Sequence, residues 1–239
     1  MKRHQTYLLI LILISASFSF YLFFFKNNNV SKNFSRTDQI KEKLKKNNLN
    51  ENEKLQLYVD YYIATEKNDE RDWAQSELIK LAENIDSQLA DQATLKLIQI
   101  SGKSAKTQEY LVKKIKKTEN DLIIAHSVRV FSFNKNPWLL ENINKLIAHK
   151  SILVRKASIQ SMHRICPEQR WSILEKVRKS EKEQSVIEIL VREVIRLSGP
   201  EAISFLTKMK NMILHDKAKV LIQEGLVNLE THLKPGPCN

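Results

Sequence analysis

The chain has 239 residues, 42% of them apolar, and 39 Lys and Arg against 27 Asp and Glu give it a net charge of +12. That length and apolar content support one or two globular domains and exclude a disordered, collagen-like or disulfide-stapled chain. Only four glycines and five prolines occur, too few for the tight turns of a β-sandwich or barrel, so the expected fold class is all-α.

In chain order, Lys2, Arg3 and His4 precede an uncharged apolar run from Tyr7 to Phe25. A helix of that length spans about 28 Å, close to the hydrocarbon thickness of a bilayer. Residues 1–26 are therefore expected to be a signal anchor or single transmembrane helix that meets the membrane through residues 7–25. The alternative is a signal peptide cleaved after Ser15-Ala16-Ser17 or Ser17-Phe18-Ser19. Cleavage would leave Phe20 to Phe25 as an apolar new terminus, whereas an uncleaved anchor keeps them in lipid. Lys26, Lys32, Arg36, Lys41, Lys43 and Lys45 follow the run, and their count alone favours a cytoplasmic domain. A basic start followed by an apolar stretch nevertheless favours export, because long domains translocate largely regardless of charge. The expected location is the inner membrane, single-pass, with the rest of the chain in the periplasm or extracytoplasmic space. Cleavage would make the protein secreted or periplasmic.

Residues 27–37 are polar and Asn-rich, as expected of a tether. Residues 38–233 carry a repeat of 31 to 33 residues. Pro137, Pro167 and Pro200 are 30 and 33 residues apart, and proline fits the first turn of a helix, where its missing N–H costs nothing. With Ser104 as an N-cap and Asp69 further upstream, helix starts are expected near residues 70, 105, 137, 167 and 200. Gly102 and Gly199 fall where preceding helices should end. Leu139, Ile143, Leu146 and Ile147, and Ala202, Phe205, Leu206, Met209 and Ile213, have helical apolar spacing. Trp73, Trp138 and Trp171 recur near whole periods and are expected to be core aromatics. A second, more apolar helix follows each first one, at about 88–101, 121–133, 151–165, 184–198 and 216–230, with Ala93, Ala125, Ala157, Leu190 and Leu221 recurring in them. Residues 38–47 and 51–66 make a sixth, most N-terminal pair, and residues 234–239 are a tail.

Val154-Arg155-Lys156-Ala157-Ser158-Ile159, and Leu197-Ser198-Gly199-Pro200-Glu201-Ala202-Ile203 leading to Leu206, resemble HEAT repeats of the short bacterial type. The resemblance covers roughly residues 70 to 231 and is clearest from 150 to 215. It implies a right-handed α-solenoid of about six antiparallel hairpins. The valine-arginine step of that pattern occurs only at Val154-Arg155, with Ile123, Glu188 and Lys219 at the equivalent of Arg155 elsewhere. HEAT motifs specify a fold far more strongly than a function. Such arrays offer extended faces to a peptide, a helix or a partner domain.

Residues 103 to 182 hold 18 Lys and Arg against 7 Asp and Glu. Within the array Lys80, Lys113, Lys145, Lys176 and Lys208 recur at intervals of 33, 32, 31 and 32. Lysines late in a helix complement its dipole and sit on a solvated face. The sharper reading makes them a stripe for anionic lipid, an acidic polymer or, least of all, nucleic acid. The histidines at 4, 126, 149, 163, 215 and 232 lack zinc spacing, no nucleotide-binding or nucleophile motif is present, and no cofactor is expected. Cys166 and Cys238 have no Cys-x-x-Cys spacing. In an oxidising compartment they could pair and pin the tail, although two independent thiols, with Cys166 packed as a small hydrophobe, are the plainer expectation. These features point to a non-enzymatic, membrane-tethered scaffold that binds a protein partner in the envelope. The alternative is a basic module that docks on polyanions.

Overall fold

The computed structural model describes residues 35–46, 48–84, 87–212, 215–231 and 236–238. The membrane segment expected at 7–25, most of the tether and part of the tail lie outside the described residues. No helix among the described residues is long and apolar enough to cross a membrane. Every regular element among them is helical, and there are twelve: α1 (Arg36–Leu44), α2 (Glu51–Ala64), α3 (Asn68–Asn84), α4 (Ser87–Ser101), α5 (Ala105–Ile115), α6 (Asp121–Phe133), α7 (Pro137–Ile147), α8 (Ile152–Ile165), α9 (Arg170–Ser180), α10 (Gln184–Leu197), α11 (Gly199–Lys210) and α12 (Asp216–Thr231). They fall into two compact units, one up to Asn47 and one from Asn48 onward.

In the first unit α1 begins two residues inside the expected tether. Ser35 accepts a hydrogen bond from the Asp38 N–H, and the Asp38 carboxylate accepts one from the Ser35 N–H, a reciprocal cap that starts a helix where composition suggested coil. Residues 38–47 and 51–66, expected as one pair, hold α1 and α2 and lie in different units.

The second unit starts with the same device, since the Asn50 side chain accepts from the Glu53 N–H at 2.9 Å while Glu53 accepts from the Asn50 N–H at 2.9 Å. Asn120 caps α6 and Asn136 caps α7, each accepting from the backbone N–H two residues on. Pro137 and Pro200 fill first turns as expected. Pro167 does not. Helix α9 starts at Arg170, and the Pro167 carbonyl instead accepts the Arg170 N–H at 2.9 Å in the turn before it.

Helices α3/α4, α5/α6, α7/α8, α9/α10 and α11/α12 pack as consecutive pairs, with α2 against α3 and α4. The second members pack on one another in order, α4 on α6, α6 on α8, α8 on α10 and α10 on α12. Four of these second helices start at residues 121, 152, 184 and 216, at intervals of 31, 32 and 32. One continuous core runs along them through Leu97, Val128, Ile159, Leu190 and Ile222, each such side chain contributing about 1.5–3 kcal/mol by leaving water. Ala93, Ala125, Ala157 and Leu190 are buried in it, while Leu221 is half-buried.

The tryptophans depart from expectation, for they stand at the rim of the core. Trp73 is 41% exposed and meets Tyr58 and Tyr61 edge-on, with centroids 5.6 and 5.3 Å away. Trp138 and Trp171 are partly buried, against Phe131 and Phe205 respectively. An indole in the first two turns of a helix, sixth in α3 and second in α7 and α9, reaches a neighbouring ring with one edge and leaves the other toward water.

Cys166 and Cys238 are joined by a disulfide, with Cα atoms 5.3 Å apart across 72 residues of sequence. This corrects the expectation of two independent thiols. Cys166 ends α8 at φ 43°, in the left-handed region. Two residues before Cys238 the buried Gly236 lies so close to α10 that a Cβ would overlap the Leu197 carbonyl oxygen. Cys238 itself packs against the core.

Candidate binding surface

Lys80, Lys113, Lys145, Lys176 and Lys208 stand on α3, α5, α7, α9 and α11, and all five are exposed. Lys80 pairs with Glu77 at 2.7 Å, and that hydrogen bond and charge push its ammonium pKa up. No carboxylate among the described residues lies within ion-pair distance of Lys113, Lys145, Lys176 or Lys208. Lys113 borders an open groove of about 730 Å³ between α5 and α7, with Val112, Pro137 and Trp138 as its apolar floor and Lys103 and Lys116 beside it. Glu109 and Glu141 share that groove, so its charge is mixed. Lys208 borders a second groove between α9 and α11, above Trp171 and Phe205. Beside it Glu175 is held below the usual carboxylate range, chiefly by its hydrogen bond from Arg178. The lysines thus share one set of helices, and two of them flank grooves floored by aromatic rings.

The second helices carry a pattern that reading the sequence missed. Counted from each helix start, the ninth residues of α6, α8, α10 and α12 are Arg129, Gln160, Arg192 and Glu224, and the thirteenth are Phe133, Arg164, Arg196 and Asn228. Phe133 is 64% exposed, and the Arg164 guanidinium lies 4.0 Å above its ring. Arg192 and Arg196 are exposed and border a shallow groove with Ile195, Leu221 and Gly225. The signal was present as an arginine at fixed offsets from helix starts, and it needed those starts to within one residue.

Arg155, in the second helix α8, is a clamp. Its Nε and Nη2 donate to Glu181 at 2.7 and 3.1 Å, and its Nη1 donates to the carbonyls of His149 and Lys150 at 3.0 and 2.9 Å. Burial pushes the Glu181 carboxyl up, but Arg155 and the backbone N–H groups of Glu183 and Lys182 outweigh it and hold it below the usual range. One clamp therefore ties the turn before α8 to the turn before α10.

Glu193, 1% exposed on α10, accepts the His163 backbone N–H and contacts His163 Nδ1, both at 2.7 Å. Its Oε2 has no hydrogen-bond partner, and the nearest cation is Arg196 at 3.9 Å. Burial raises its pKa despite those hydrogen bonds. The Tyr110 hydroxyl, sharing a hydrogen bond with Thr94 at 2.7 Å, is pushed up to about 12 by burial. His126 is lowered by burial and by Arg129. His149 Nδ1 accepts the Ser151 N–H at 3.1 Å, and His215 lies 3.8 Å from Glu188. His4 and His232 lie outside the described residues. No group of three metal-ligating side chains is assembled among the described residues. No family model matches the chain, and neither does any curated protein.

Proposed function

We propose that this chain is a membrane-tethered, non-enzymatic α-solenoid of HEAT type that binds another protein of the cell envelope. The observation that carries the reading is the register of the second helices. Their packing in order places equivalent residues side by side over four helices, and such a repeated face suits an extended partner better than a small molecule. The uncharged run from Tyr7 to Phe25 supports tethering. The Cys166–Cys238 disulfide supports export, since such bonds persist in oxidising compartments. Tethering confines the search for a partner to the membrane and raises effective concentration there.

A C-terminal fusion to alkaline phosphatase, compared in cells with one to a cytoplasmic fluorescent protein, tests the compartment. Phosphatase activity is the expected outcome, and fluorescence alone overturns the export half of the reading. The second reading, docking on anionic lipid or polymer, is favoured by the four exposed lysines that pair with no carboxylate among the described residues. Flotation with anionic vesicles at low and high salt distinguishes it. Strong binding that salt abolishes, and that Lys113→Glu, Lys145→Glu and Lys176→Glu together remove, favours the polyanion.

A further inference from the structure

We propose that the second-helix face of α6, α8 and α10 is a docking strip for an acidic, extended segment of the partner, with a carboxylate at every third residue. The proposal rests on the adaptor reading and names the chemistry of its partner. Four arginines, Arg129, Arg164, Arg192 and Arg196, occupy two adjacent rows of this face, and the acidic residue in those rows, Glu224, falls on α12. The rows are physically contiguous, because Arg164 of α8 stacks on Phe133 of α6 and the Arg192/Arg196 groove reaches α12. Guanidinium is the cation best shaped for carboxylates; Arg192 and Arg196 are exposed and Arg129 and Arg164 half-buried, and the carboxylates nearest them are the buried Glu193, 3.9 Å from Arg196, and Glu224 at the α12 edge of the groove.

Spacing selects the conformation of the ligand. Packed helices lie about 8–10 Å apart, so equivalent arginines on α8 and α10 recur at about that distance. A polyproline-type segment returns to the same face every third residue, about 9 Å on. A flat β-strand does not, since residues three apart point to opposite sides. Phe133, 64% exposed at the α6 end, and Ile195 with Leu221 at the other offer apolar contacts that bracket the charges.

The test uses the full chain in non-ionic detergent and a fluorescent peptide of four Glu-Pro-Pro units, read by anisotropy. The peptide is expected to bind, and to bind more weakly when the same residues are rearranged with the four glutamates adjacent. Arg192→Glu with Arg196→Glu, both on exposed side chains, is expected to weaken it about tenfold or more, and Arg164→Glu is an independent second variant. Lys113→Glu with Lys145→Glu and Lys176→Glu is expected to leave it within about twofold. A Lys-Pro-Pro peptide that binds the Arg192→Glu/Arg196→Glu chain supports direct pairing. The proposal is overturned if no peptide binds, if the arginine variants bind as well as the parent, or if only the lysine variant loses binding. Binding of phosphatidylglycerol vesicles through these arginines, without peptide binding, also overturns it and assigns the face to a lipid surface. Photo-crosslinkers at Gln160 and at Asn144 on α7, used in cells, separate the two failures. Protein adducts from Asn144 alone sink this face and leave the adaptor, whereas none from either position sinks both.

Discussion

At Arg155 one side chain holds two turns that sequence alone leaves unrelated. Its bidentate bond to Glu181 is largely shielded from water, with side-chain exposures of 16% and 8%. Arg155→Ala is therefore expected to cost about 2 kcal/mol near neutral pH. Glu181 has its folded pKa below the ordinary value of 4.5, so its contribution is present above that value and is lost as pH falls through the lower folded one. In urea unfolding from pH 7 to 3, the gap between parent and variant should narrow as pH falls below 4.5; a gap independent of pH would show that packing and not charge accounts for it. Glu193 has the opposite sign. Its folded pKa is raised, so the stability linked to it is full below 4.5 and falls as pH rises through the raised value. Relative to the parent, Glu193→Gln should flatten the decline of stability as pH rises above 4.5, and equal slopes would refute the assignment. Arg155 was visible in the sequence as a repeat position, but Glu181 lies 26 residues away and Glu193 meets His163 across 30. Partners so separated become neighbours only when helices pack.

Elements were far more legible, because they announce themselves locally. Pro137 and Pro200 mark first turns, and the second helices lie within about a residue of where apolar spacing put them. The proline rule failed at Pro167, where the left-handed Cys166 has already turned the chain and two further residues precede the helix. Asparagine starts three helices of the second unit, a role it shares with so many turns that its presence alone does not mark a helix start. Asn136→Ala should cost about 1 kcal/mol by removing the bond to the Trp138 N–H, and replacement by Ser should restore most of it. Contact between elements has its own marker in Gly225. A Cβ there would meet Ile195 Cδ1 at 2.5 Å, so α12 approaches α10 so closely that the Ile195 side chain must shift to admit one. Gly225→Ala gains helix propensity of about 1 kcal/mol but must displace Ile195 beside Arg192 and Arg196. A net loss of about 1 kcal/mol in thermal unfolding is expected, and Ile195→Val in the same chain should relieve it. If Gly225→Ala stabilises the chain, the close approach is not what limits this contact.

Across the whole molecule, charge and covalent connection were predictable to different degrees. The excess of positive charge was readable by counting, and all five recurrent lysines are indeed exposed. What counting could not supply was the arginine array on the other set of helices, because it depends on register more than on composition. The disulfide was less legible still, since pairing requires Cα atoms within about 7 Å and these two residues are 72 apart in sequence. Its effect grows with the length of chain it closes. Restricting a loop of that size in the unfolded chain is worth about 4 kcal/mol in the chain-entropy model, or roughly 10 °C in melting temperature for a unit of this size. Cys166→Ser with Cys238→Ser, or mild reductant, should lower the melting temperature by up to that amount. The same treatment should expose Gly236 to Cys238 to protease, because they lose the bond that holds them against α8 and α10. A reduced protein that melts with the parent and resists cleavage would mean that Gly236 packing alone secures the tail. If the melting temperature falls but the tail stays protected, the bond acts on the unfolded chain alone. Should both change, oxidation is coupled to the ordering of the segment beside His163 and Glu193, and export to an oxidising compartment becomes a condition for completing that end of the fold.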